Sequence, residues 1–298
     1  MTDLGAKVRR LRIASQMTQA ELAGDQITRN MLSQIENGSA LPSLSTIQYL
    51  AQKLDIPAGY FFAEEEDEFQ YRKMQKSKEI RRAYESRAWQ RCMELCQENL
   101  GGSDDELNMI LCQCAYQLAL QAFADGRLCA AHTCFVQTLA YASQTLYVPT
   151  SVVHTAYGYL IFLAKFDPAL EIPAFIQAPP TNINSDQPWF SCYLMILRAI
   201  EQGELETAEN LMHLPDFSDT TYATHANARI AMANREYGTA IRMIEDLLTP
   251  DRGLPPSRPM TYLLYLDLEV CCREIGDFER AYRYTTSRVK LLDALLTE

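Results

Sequence analysis

Apolar residues recur three or four positions apart along most of the chain, and strand-like alternation is scarce, so the pattern predicts an all-α protein. Five short helices are expected within the first 63 residues. Leu4, Val8 and Leu11 form the stripe of the first. "MTQAELAG" opens the second with Thr18 three residues before Glu21, the spacing of a capping box, and ends it at Gly24. The third runs from Thr28, a good N-cap, to the stop signal Asn37-Gly38. Leu44, Ile47, Leu50, Ala51 and Leu54 mark the fourth, and Pro57 starts a last short helix with Tyr60, Phe61 and Phe62.

The third helix, "TRNMLSQIENG", divides sharply. At about 100° per residue, Ile27, Met31, Leu32 and Ile35 gather on one side, while Arg29, Asn30, Ser33, Gln34 and Asn37 fall on the other. On an isolated helix that polar side would simply be solvated. Here only a few residues separate it from helix two, the helix-turn-helix arrangement that sends the second helix into a DNA major groove. Arg, Asn and Gln are also the side chains that make two-point contacts with guanine or adenine edges.

The stretch "TQAELAG…ITRNMLSQIENGSALPSLSTIQYLAQKLDIP", about residues 4 to 62, resembles the phage-repressor type of DNA-binding domain, the XRE family. The resemblance implies a phosphate contact for Gln19, base reading by Arg29, Asn30 and Gln34, and a second phosphate contact for Asn37. Thr28 and Ser33 complete the candidate DNA-binding set. By the same resemblance Arg12 and Glu36 form a structural ion pair.

After residue 63 the chain reads as helix after helix, with an internal period. "GRLCAA" from Gly126, "GELETA" from Gly203 and "GDFERA" from Gly276 each place Ala five residues after Gly; "REYGTA" from Arg235, "KFDPAL" from Lys165 and "AYESRA" from Ala83 are weaker copies. A small residue at each turn lets two antiparallel helices approach, which predicts a helical-repeat solenoid resembling tetratricopeptide repeats. The expected division is a helix-turn-helix domain over 1–63, an acidic junction over 64–71 and a repeat domain over 72–298. "IQAPPTNINSDQP" from Ile176 and "TPDRGLPPSRP" from Thr249 are expected to be loops between helix pairs.

A repressor-type domain followed by such an array resembles the peptide-responsive regulators of Gram-positive bacteria, the RRNPP group that includes Rgg, PlcR and PrgX. The resemblance implies a homodimer and a concave groove that holds a short signalling peptide in extended form. Candidates to hold that peptide on first helices of the pairs are Gln113, Gln117, Tyr157, Tyr193, Arg198, Asn227, Arg229, Asn234 and Tyr265. Asn227 leads them, because Asn227 and Asn234 lie seven residues apart with Ile230 and Ala231 between them on the same side. The alternative is an array that docks a partner protein and takes no peptide.

Charge and composition sharpen this picture. The whole chain carries −11, yet residues 1–63 hold six Lys/Arg against five Asp/Glu; the rest holds 21 against 33, a net of −12 that repels a polyanion. Only the N-terminal part is suited to DNA. With a single excess positive charge, one copy is expected to bind modestly, and two copies on a two-fold site would join two weak half-sites. Nine cysteines and four histidines show no metal-ligand spacing, so free thiols and no cofactor are expected. No phosphate-binding glycine loop or nucleophile elbow is present, and an enzyme is not expected. No apolar run approaches the ~20 residues of a membrane span, and no secretory signal is apparent, so a cytoplasmic protein without membrane contact is expected.

Overall fold

The computed structural model describes residues 4–63, 65–98, 104–147, 149–178, 185–214, 217, 221–249 and 256–297; in the helix over 65–85 the side chains of residues 65–70, 72 and 75 fall outside that description. Fifteen α-helices, two short 3-10 turns and no strand occur among the described residues, so the fold is all-α. Packing divides the chain into two compact units, Met1–Gly102 and Ser103–Glu298.

The first unit begins with α1 (Leu4–Ala14), α2 (Gln19–Ala23), α3 (Arg29–Glu36), α4 (Leu44–Lys53) and a 3-10 turn over Ala58–Phe62, the five expected helices with the last one tightened. Both bonds of the capping box on α2 are made: Glu21 N donates to Thr18 Oγ1 at 3.2 Å and Thr18 N to Glu21 Oε2 at 2.7 Å. Thr28 Oγ1 accepts from Met31 N at 3.1 Å and caps α3. Gly38 takes φ +74° just beyond α3, where a side chain would be strained. Val8, Leu22, Leu32, Ile35, Leu50 and Phe61 form the core. Leu44 does not join it: it is 68% exposed, having been expected among the apolar positions of α4.

The acidic run expected as a junction is helical from Glu65, in α5 (Glu65–Glu85), which pairs with α6 (Trp89–Glu98) inside the first unit. The packing therefore divides the chain at 102/103, whereas the sequence pattern suggested 63/64.

The second unit contains α7 (Asp105–Ala124), α8 (Leu128–Ala142), α9 (Thr150–Leu163), α10 (Pro188–Glu201), α11 (Leu205–Met212), α12 (Thr221–Ala233), α13 (Tyr237–Leu248), α14 (Arg258–Glu274) and α15 (Phe278–Thr297). Pairs α7/α8, α10/α11, α12/α13 and α14/α15 are helical hairpins; α9 touches both α7 and α10, and α12 touches both α10 and α14. Each hairpin turns through a residue of positive φ: Gly126 at +82°, Gly203 at +78°, Arg235 at +62° and Gly276 at +81°. Behind each lies the same pair of bonds, as in Gly126 N to Phe123 O at 3.1 Å and Arg127 N to Ala122 O at 2.8 Å, a Schellman closure. Five residues on, Ala131, Ala208, Ala240 and Ala281 are buried against the first helix.

Two copies of the repeat are corrected. In the first unit the left-handed residue is Arg87 at φ +57°, with Cys92 buried five residues later, so that copy begins at Arg87 and not at Ala83. "KFDPAL" leads to a 3-10 turn over Pro168–Leu170 and not to a full second helix, because Pro173 would fall inside a continued helix without an N–H to donate to Ala169 O; Leu170 is nevertheless buried. Residues 179–184 and 250–255 of the two proline-rich loops lie outside the described residues.

The two ends of the second unit meet. Leu295 near the end of α15 is fully buried, a Cβ built on Gly126 would lie 3.0 Å from Leu295 Cδ2, and Cys129 Sγ on α8 donates to Leu296 O at 3.4 Å. An aromatic layer fills the space between, with Tyr159 stacked on Phe135 and Phe190 at centroid distances of 4.8 and 4.0 Å. This goes beyond a solenoid in which each repeat touches only its neighbours.

Candidate functional site

Helix α3 is held from behind. A Cβ built on Gly5 would lie 2.2 Å from Ile35 O and 3.0 Å from Glu36 O, so α1 lies directly on the end of α3. Arg12 Nε and Nη2 donate to the two carboxylate oxygens of Glu36 at 2.7 and 3.1 Å, and Arg12 Nη1 donates to Met17 O at 2.9 Å. Burial alone would push the Glu36 carboxyl up. The hydrogen bonds from Arg12 and Gln19 and the charges of Arg12 and Arg9 outweigh it and leave the group below its ordinary value. Tyr49 Oη donates to Ala23 O at 2.9 Å and ties α4 to the end of α2.

With Leu32, Ile35 and Glu36 buried, the opposite side of α3 is forced outward. Thr28, Arg29, Asn30, Gln34 and Asn37 are exposed and Ser33 is half-buried, so all six are accessible, with Thr28 occupied as the cap of α3. Gln19 is half-buried and its Nε2 donates to Glu36 Oε2 at 2.9 Å. An amide nitrogen carries two hydrogens, so this bond fixes Gln19 at the start of α2 and leaves the second hydrogen for another acceptor.

Lys7 went unrecognised in the sequence. It is 7% exposed, its Nζ donates to the carbonyls of Tyr60 and Ala63, and it lies 5.6 Å from the Tyr60 ring centroid. The signal was present, because Lys7 falls on the same stripe as Leu4 and Leu11.

The candidates of the second unit are more dispersed. Gln113 and Gln117 on α7 and Tyr157 on α9 are half-buried, and Arg198 on α10 is exposed. Asn227 and Asn234 are exposed, but Ile230 and Ala231 between them are packed away, so no continuous mixed strip joins the two. Tyr265 stacks on Tyr284 at 6.0 Å. Tyr193 is fully enclosed with its hydroxyl 2.7 Å from His225 Nδ1, which leaves it a supporting position. Its hydroxyl is pushed well up by burial, reinforced by the charge of Asp267. His225 Nε2 lies 2.8 Å from Asp267 Oδ2, and Arg229 Nη1 donates to Asp267 Oδ1 at 2.8 Å. Tyr193 and Arg229 were candidates from the sequence, but nothing there pointed to His225 or Asp267 as their partners, because the bonded pairs lie 32 to 42 residues apart.

All nine cysteines are free thiols; burial pushes those of Cys112 and Cys271 up to about 12. No group of three or more His, Cys, Asp or Glu suited to a metal ion occurs among the described residues. No described helix is long and apolar enough to cross a membrane.

Residues 8–61 match the family HTH_3, helix-turn-helix. The N-terminal segment is thus an XRE-type helix-turn-helix domain, the DNA-binding part of a regulator, with α2 and α3 as its two central helices. Among solved structures the chain is similar to Bacillus thuringiensis PlcR in complex with the peptide PapR7 and DNA, at 16% identity over 100% of both chains with a TM-score of 0.29. It is similar to the Streptococcus dysgalactiae SHP pheromone receptor Rgg2, at 12% identity over 97% of this chain and 99% of that one with a TM-score of 0.20. It is also similar to ComR from S. thermophilus in complex with DNA and its signalling peptide ComS, at 12% identity over 97% and 99% with a TM-score of 0.22. A comparison with curated proteins found no match.

Proposed function

We propose that the chain is a sequence-specific transcription regulator that acts as a homodimer, with residues 1–63 reading double-stranded DNA, 64–71 linking and 72–298 dimerising and sensing a short peptide. The observation that carries the DNA part is the outward polar side of α3, set by the burial of Leu32, Ile35 and Glu36 behind it. Arg29, Asn30 and Gln34 read base edges, with Ser33 beside them; Gln19, Thr28 and Asn37 hold phosphates.

The +1 charge of residues 1–63 supplies little non-specific attraction, which favours a two-headed grip. The helical hairpins support the peptide part: successive first helices offer half-buried polar groups such as Gln113, Gln117 and Arg229 to the unpaired backbone of an extended chain. Peptide binding then shifts the array toward one of its conformations and with it the DNA-competent population.

The test is retention of fragmented genomic DNA by the purified full chain, followed by sequencing. Enrichment of a two-fold symmetric site is expected. Retention of random fragments only would sink sequence-specific reading. Mass spectrometry of what co-purifies tests the peptide part separately.

A further inference from the structure

The cluster around Asp267 lies within the layer of first helices, drawing Tyr193 from α10, His225 and Arg229 from α12 and Asp267 from α14. Three of its members are closed off from solvent: Tyr193 is 0% exposed, His225 1% and Asp267 1%. Both oxygens of Asp267 are used, one by His225 Nε2 and one by Arg229 Nη1, each at 2.8 Å. A carboxylate on α14 gripped by two side chains one turn apart on α12 leaves the guanidinium little freedom to turn.

Arg229 is only half satisfied by this arrangement. Its side chain is 29% exposed, yet its Nε is buried with no hydrogen-bond partner. A buried donor without an acceptor is a standing cost, and native structures seldom leave one without a reason. The guanidinium is a planar fork with five N–H donors, and the edge formed by Nε and one terminal nitrogen matches the two oxygens of a carboxylate. Tyr222, whose ring centroid is 5.0 Å from that of Tyr193, and Trp189, 4.8 Å from Tyr222, extend from the cluster as a half-buried aromatic wall.

We infer that Arg229 is a receptor for one carboxylate group, taken on the Nε edge while Asp267 fixes the opposite side. A single guanidinium edge suits a singly charged planar acid better than a phosphate, and the net charge of −12 over residues 64–298 disfavours anything more anionic. Resting on the peptide-sensing reading above, the group is the free C-terminal carboxylate of the peptide, with the aromatic wall receiving its last side chain. Arg229 would then report the end of the ligand and set its direction along the layer of first helices. Asp267, His225 and Tyr193 act through Arg229 and are positioning residues.

Two measurements on the full chain separate this inference from the reading beneath it. In the first, immobilised protein is exposed to a mixture of randomised heptapeptides with free C-termini and to the same mixture amidated, and the retained peptides are counted by mass spectrometry. In the second, the Nε–H resonance of Arg229, assigned by its loss in Arg229→Lys, is followed during titration with phenylacetate and with neutral phenylacetamide. The expected result is at least tenfold greater retention of the free acids, lost in Arg229→Gln, and movement of the resonance with phenylacetate only. If acids and amides are retained alike and phenylacetate moves nothing, the carboxylate site is overturned while peptide sensing stands. If no peptide is retained but phenylacetate moves the resonance, the site stands and its ligand is a small organic acid. Failure of both overturns both. The resonance measurement needs only the wild-type fold, so an unfolded Arg229→Gln does not block the outcome.

Discussion

Arg12 on α1 grips Glu36 at the end of α3 through both carboxylate oxygens, at 2.7 and 3.1 Å, and Gln19 on α2 donates to the same carboxylate at 2.9 Å. One acidic side chain therefore fixes the three helices that place the polar side of α3. Glu36→Ala leaves Arg12 without its partner in a largely enclosed site, and the expected loss is about 3 kcal/mol, the usual scale for breaking a buried pair from one side. The measurement is hydrogen exchange at the Leu32 and Ile35 amides of the full chain.

The same carboxylate gives a pH dependence. Glu36 has a lowered folded-state value, so its contribution is fully present above the unfolded-state value, which lies near the ordinary 4.5, and is lost as pH falls through the lowered one. Stability of the first unit should fall on acidification across that window, and Glu36→Gln, which cannot titrate, should flatten the acid limb. An unchanged acid limb in the variant would remove Glu36 as its source.

On the opposite side of α3, Arg29→Ala and Gln34→Ala are each expected to weaken the cognate site by roughly 1–3 kcal/mol and to relax its sequence preference. Gln19→Ala should weaken cognate and random DNA alike, because a phosphate contact carries no sequence. Titrations against both DNAs distinguish the cases. Equal losses on the two DNAs for Arg29→Ala would contradict base reading.

Gly5 is the residue on which the approach of α1 to α3 depends. A methyl group there would sit 2.2 Å from Ile35 O, a backbone atom that no rotamer change can move aside. Gly5→Ala should cost about 1–3 kcal/mol, the range for overpacking, despite alanine's higher helix propensity. A thermal melt showing no loss would mean that α1 can shift on α3.

Much of the first unit was legible because its signals are local. Thr18 and Glu21 lie three residues apart, and Thr28 caps the turn that follows it. What was missed involves close approach or distance along the chain. Gly5 reads as a helix-weakening residue until Ile35 O is seen above it. The Asp267 cluster joins three helices, and the contact of Cys129 with Leu296 spans 167 residues. The repeat phase was legible wherever glycine marked the left-handed position, and misplaced by four residues where Arg87 occupies it.

Arg87 and Arg235 carry a conformational cost that Gly126, Gly203 and Gly276 do not. All five close the same Schellman pair of bonds, at Arg87 through Ala88 N to Ala83 O at 2.9 Å and at Arg235 through Glu236 N to Ala231 O at 2.8 Å. A side chain in the left-handed region costs about 1–2 kcal/mol, and glycine gives part of that back as unfolded-chain entropy, so Arg87→Gly and Arg235→Gly should each stabilise by roughly 0.5–1 kcal/mol. Neither arginine has its backbone placed by a tertiary contact that glycine would lose, because both Schellman bonds are main-chain. The gain should therefore appear in thermal melts of both variants, and a loss in both would show that the arginine side chains hold their turns in place.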